Sequence, residues 1–78
     1  MDTIFIKPTS QQRLQVLKDY GEPCDRLVRE KERQYITSVS RSTAWKLERS
    51  GLFPQRKMLG AKSCSWLLSD LLYWINEK

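Results

Sequence analysis

Three observations in this 78-residue sequence predict an α+β fold, mainly α, arranged as a winged helix-turn-helix with a small β-hairpin wing and an N-terminal helical extension. Between Ser40 and Gly51 lie the start and stop signals of a helix of about three turns with a basic outer face. A shorter helical stretch, residues 30–37, precedes it across a tight turn at Ser38 and Val39. Beyond it, Gly60 separates two stretches that both carry basic residues, the pattern of a hairpin.

Residues 1–8 contain Thr3-Ile4-Phe5-Ile6, a β-prone piece ended by Pro8. It could form a strand with a partner, but a flexible arm or a hydrophobic anchor on the domain fits better. Thr9 or Ser10 can cap a helix running to about Tyr20, with Leu14, Val16, Leu17 and Tyr20 as its apolar set and Gly21 as its stop. Gly21-Glu22-Pro23 is a break. Arg26-Leu27-Val28-Arg29 reads as a brief extended segment before the short helix, which should turn Tyr35 and Ile36 inward.

In the next helix Ser40 is the N-cap, because its hydroxyl can accept from the free amides of the first turn. Gly51 suits the left-handed residue after a helix end. Ala44 and Leu47, with Val39 just ahead, share one side, while Arg41, Ser42, Trp45, Lys46 and Arg49 share the other. Leu52-Phe53 should plug the core, and Pro54 blocks further helix. The hairpin arms are residues 55–59 and 62–66. Ser69 should cap a last helix from Asp70 to about Asn76, with Leu71, Leu72, Trp74 and Ile75 buried. Trp66 and Trp74 are assigned to the core. The expected organisation is an arm and helix over residues 1–25 and a winged helix-turn-helix over residues 26–78, in one compact domain overall.

Charge is the informative bulk quantity. Fourteen basic and nine acidic residues leave +5. Residues 41–62 hold six basic residues against Glu48 alone, which is again +5, and the remaining residues carry eight of each sign. The whole net charge therefore falls on the basic helix and the hairpin, the electrostatic footprint of a phosphate-binding face.

Several function classes are disfavoured. The chain has no histidine, the commonest general base and metal ligand. Cys24 and Cys64 lack a CxxC spacing and cannot form a zinc site alone, so they are expected as reduced thiols. No enzyme, cofactor or metal is expected. The longest apolar runs are four or five residues, and Met1-Asp2-Thr3 does not open a signal peptide, so a cytoplasmic protein with no membrane partner is expected.

Arg29-Glu30-Lys31-Glu32-Arg33 leads to Ile36-Thr37-x-Val39-Ser40-Arg41-Ser42-Thr43. Leu47, Gly51-x-Phe53-Pro54, Leu59-Gly60, Ser63, Trp66 and a helix ending Trp74-Ile75 follow in order. Over about residues 26–75 this series resembles the AlpA family of prophage regulatory proteins, small winged-helix relatives of the MerR DNA-binding domain and of phage excisionases. The resemblance implies a bacterial or prophage origin and DNA binding through the second helix and wing. It further implies control of prophage or island genes, or direction of excision by an integrase. Family turns often have glycine where this chain has Ser38.

Double-stranded DNA is thus the expected partner. Ser40, Arg41, Ser42, Thr43, Trp45, Lys46 and Arg49 would meet bases and phosphates in the major groove. Arg56, Lys57, Lys62 and Ser63 of the wing would lie on an adjacent backbone or minor groove, and Arg33 or Gln34 of the first helix would touch phosphate. For Trp45 two assignments stay open, a DNA contact and inward packing against the wing; Thr43 fits support of the first turn better than base reading. One small module buries modest area, so several copies on repeated sites, or contacts with integrase or RNA polymerase, are expected. The competing reading is an adaptor that binds an integrase or a response regulator through the N-terminal extension.

Overall fold

The computed structural model describes residues 4–77. In chain order these form α1 (Ser10–Asp19), β1 (Leu27–Val28), α2 (Glu30–Thr37), α3 (Arg41–Arg49), β2 (Lys57–Met58), β3 (Cys64–Leu67) and α4 (Leu68–Asn76). The expected hairpin is present: Lys57 lies opposite Ser65 and Met58 opposite Cys64. The extended segment near Leu27 is the third strand, with Leu27 opposite Leu67 and Val28 opposite Trp66. The sheet order is therefore β1-β3-β2, antiparallel throughout. With a neighbour on each side, β3 carries the wholly buried Trp66 into a core made with Val28, Ala44, Phe53, Leu68, Leu71, Leu72 and Trp74. Phe53 meets Trp74 edge to face at 4.8 Å between centroids, and the Trp74 indole donates to Leu52 O at 2.9 Å.

The helix ends follow the local chemistry of the sequence. Thr9 and Gln12 form a reciprocal capping box at the start of α1. Gly21 (φ 72°) and Gly51 (φ 77°) both adopt the left-handed conformation that glycine takes without a steric penalty. Each sits in a Schellman motif. Glu22 N donates to Leu17 O and Leu52 N to Leu47 O, both at 2.8 Å. Ser38 closes α2 with φ 59°, its amide donating to Gln34 O at 2.7 Å. This is the place where the resemblance described above implies that glycine is frequent.

At α4 the structure departs from expectation. The helix starts directly from β3 with Leu67 in the cap position, so Ser69 lies inside the helix and is buried. Its cap comes from elsewhere in the chain. Asp25 accepts from Ser69 N at 3.0 Å and from Ser69 Oγ at 2.6 Å. Arg13 of α1 donates to Ser69 Oγ at 2.8 Å and pairs with Asp70 at 2.7 Å. The extension is fastened by these polar contacts and by Val16 and Leu17, which enter the core. Leu14 and Tyr20 do not, because one narrow face of α1 meets α4; Leu14 is 69% exposed. At residues 4–8 the anchor reading fits. Phe5 N donates to Gly51 O at 2.8 Å and its ring meets Tyr73 edge-on, while Pro8 is buried. Thr3 of the β-prone piece, with the two residues before it, lies outside the described residues.

The helix pair holds two further departures. Tyr35 is 86% exposed and Ile36 alone of the expected pair turns partly inward. The inward position one turn earlier belongs to Arg33, which has no exposed surface. Its guanidinium donates to Val39 O and Thr37 Oγ1, pairs with Glu30, and lies 5.4 Å from the Trp66 ring centroid and 5.9 Å from that of Phe53. Arg33 is thus a core residue, and the expected phosphate contact is corrected: it has no exposed surface to offer, and both Nη groups are engaged inside the turn while Nε is buried without a hydrogen-bond partner.

Two stability effects follow. Asp25→Ala should cost about 1–2 kcal/mol, the worth of a helix cap, read from the urea midpoint; an unchanged midpoint would mean that water caps α4 equally well. Arg33→Ala should cost about 3–5 kcal/mol, since it empties a core site, removes the contacts that close the turn and takes from the Glu30 carboxylate its ion-pair partner. Thermal melting by circular dichroism checks this, and a folded Arg33→Ala protein with weakened DNA binding would restore the phosphate assignment.

Candidate nucleic-acid interface

The α3 helix turns Ala44 and Glu48 inward, with Leu47 half-buried, and leaves Arg41, Ser42, Thr43, Trp45, Lys46 and Arg49 outside. Ser40 Oγ accepts from Thr43 N at 3.3 Å and donates to Thr43 Oγ1 at 2.9 Å. These two hydroxyls therefore hold the first turn together before they meet any ligand. Arg41, Trp45 and Arg49 recur every fourth residue and form one line down the helix. Trp45 is 50% exposed and is not packed inward; the Arg49 guanidinium carbon stands 4.6 Å from its ring centroid.

Glu48 explains the electrostatics of this face. It is the one carboxylate of residues 41–62, and it points inward to accept from Arg56 N at 2.7 Å and Arg56 Nε at 3.0 Å. The Arg56 guanidinium also lies over Trp66, 5.3 Å from the centroid. Hydrogen bonding to Glu48 raises the Arg56 pKa above that of a free guanidinium. Arg56 is thus half-buried and ties the base of the wing to α3, so it is poorly placed to reach a phosphate.

The other wing cations, Lys57 and Lys62, are exposed. Ser63 is half-buried and accepts from Arg29 Nη2 at 3.3 Å. Arg29, which stands at the start of α2, is a basic residue that the reading of the sequence did not place beside the wing; its position next to the first helical turn was the available signal. Gln34 is exposed and donates to Glu30 at 3.0 Å. Arg26 forms a close pair with Glu32, whose pKa that hydrogen bond lowers.

Five side chains, Arg41, Lys46, Arg49, Lys57 and Lys62, are therefore exposed and outside any ion pair among the described residues. They belong to α3 and the hairpin that Glu48 and Arg56 hold together. Such a surface raises the local concentration of a polyanion. Among the described residues no helix is long and apolar enough to cross a membrane, and no His, Cys, Asp and Glu cluster could hold a metal ion.

Residues 26–78 match the family model described as prophage CP4-57 regulatory protein (AlpA). The chain is also 37% identical over 51 residues to the uncharacterized protein ORF88 of Enterobacteria phage P4, an alignment covering 65% of this chain and 58% of that protein. It thus spans little more than half the length of that relative. No solved structure matches. The family is one of phage regulatory proteins and not of enzymes. With more than half of its length matched, and the helix pair, hairpin and closing helix all inside the match, the chain belongs to the AlpA family of prophage regulatory proteins.

Proposed function

We propose that this chain is a sequence-specific double-stranded DNA-binding regulator that lays α3 in the major groove and its wing along the neighbouring backbone or minor groove. The observation that carries this reading is the segregation of charge: five unpaired cations face outward on α3 and the hairpin, while Glu48 is withdrawn onto Arg56. Arg41, in the first turn of α3, is the candidate for reading a base edge, with Ser42 and Lys46 on the adjacent line. Lys57 and Lys62 are the backbone contacts of the wing, with Arg29 and Ser63 at its flank and Gln34 on the helix that crosses the phosphates. Ser40 and Thr43 shape the helix start, and Arg56 supports the wing from within.

The same interface would suit either control of prophage transcription or direction of excision by an integrase. Several copies on repeated sites, or contacts with integrase or RNA polymerase, would supply the affinity that a single module of this size lacks. The working location is the bacterial cytoplasm, on the nucleoid. The adaptor reading has one specific observation in its favour. Leu14 stands exposed beside a cleft of about 760 Å³ between α1 and residues 22–25.

Gel shifts on fragments of the neighbouring genome separate these readings. With about five phosphate contacts, log affinity should fall against log salt with a slope of roughly −4 to −5. Arg41→Ala should cost about 1–3 kcal/mol on the selected site and much less on random duplex. Lys57→Ala with Lys62→Ala should weaken both DNAs alike and flatten the slope by about 2. Salt-insensitive binding, or binding indifferent to all three changes in folded protein, would favour the adaptor.

A further inference from the structure

We propose that Trp45 is a positioning residue that holds Arg49 over its ring as a reader of guanine. The inference rests on the DNA-binding reading above and assigns a division of labour inside it. In a helix the Cα–Cβ bonds tilt toward the N-terminus, so a long side chain leans over the residue one turn before it. Arg49 accordingly lies back on the indole of Trp45, 4.6 Å from the ring centroid. By the same tilt Arg41, one turn before Trp45, is directed toward the helix start and away from the indole. No carboxylate among the described residues draws Arg49 off, because Glu48 beside it in the chain faces Arg56.

The position over the ring has a chemical consequence. A guanidinium held over an aromatic ring by its carbon, with no carboxylate paired to it, keeps its N–H donors available, all in the plane of the group. That planar fork matches O6 and N7 of guanine, where two parallel hydrogen bonds form at once. A phosphate asks less of its partner, since lysine meets it as a point charge. Holding the fork before binding also reduces the rotamer freedom that complex formation removes. A half-exposed indole in the middle of an otherwise charged and hydroxylic face thereby acquires a role that core packing does not give it.

The test selects duplexes from a random pool with the full chain, then measures affinity for the selected duplex, for each of its single base-pair substitutions and for random duplex. Arg49→Ala should lose roughly ten-fold or more of the discrimination at one G·C pair. Trp45→Leu should lose about two- to five-fold at that same pair, the worth of an exposed cation–π contact. Trp45→Phe should recover most of the loss. The double variant should be no worse than Arg49→Ala alone, since a platform without its arginine does nothing. Uniform weakening of all duplexes by Trp45→Leu, or losses that add in the double variant, would overturn the proposal and make Trp45 a DNA contact in its own right. Uniform weakening by Arg49→Ala overturns it too and makes Arg49 a phosphate clamp. Enrichment of no duplex from the pool by folded protein sinks the DNA-binding reading itself, and this inference with it.

Discussion

The buried guanidinium of Arg33 is the constraint on which the helix pair depends. An arginine with no exposed surface must have its charge met and its donors occupied, or the cost of burial is several kcal/mol. Here the two Nη groups meet Glu30 from the same helix, Thr37 at its end and the carbonyl of Val39 just before α3, and Nε alone is buried without a hydrogen-bond partner. These contacts fix the turn. The faces of Trp66 and Phe53 then place the same side chain against the sheet and the segment after α3. A tight turn that contains no glycine keeps its shape because a charged group inside the protein needs it, and Ser38 accepts a left-handed conformation as part of that arrangement.

A second ion pair works outward from the first. Glu48 and Arg56 join α3 to the wing, and the aromatic plane of Trp66 lies under Arg56 as it lies near Arg33. Two arginines thus share one buried tryptophan, and the two elements of the candidate interface are tied to it. Withdrawal of Glu48 has the further effect of removing the only negative side chain from the segment that carries the net charge. The pair is structural in its contacts and electrostatic in its effect.

Much of this was legible in the sequence where chemistry is local. The caps at Thr9 and Ser40, the left-handed glycines at Gly21 and Gly51 and the hairpin about Gly60 depend on neighbours a few residues away. The misreadings share a different cause. Leu14 and Tyr35 are apolar at plausible helical positions, and only the width of the face that meets a neighbour decides that they stay outside. Arg33 reads as surface because a guanidinium usually is. Nothing nearby in sequence announces that Trp66 and Phe53 will close over it. Asp25 likewise caps a helix that begins more than forty residues later, a distance at which periodicity carries no signal. In the candidate interface the helix face was readable and the fate of Arg56 was not, since its partner lies on another element.

The place of β3 in the sheet also governs when this protein comes to exist as a folded object. Its central strand and the helix that continues from it are the last-made elements of the described fold, yet β1, β2 and α1 all lean on them. At synthesis rates of about 5–20 residues per second, the first helix waits seconds for the partner that will hold it. An isolated helix of ten residues is marginal in water, so little of the N-terminal half can persist as structure in the meantime. The sheet and the contacts of α1 with α4 can therefore form only once β3 and α4 have been made. Incomplete chains that stop before β3 carry the full basic stretch of residues 41–62 with no scaffold to shape it.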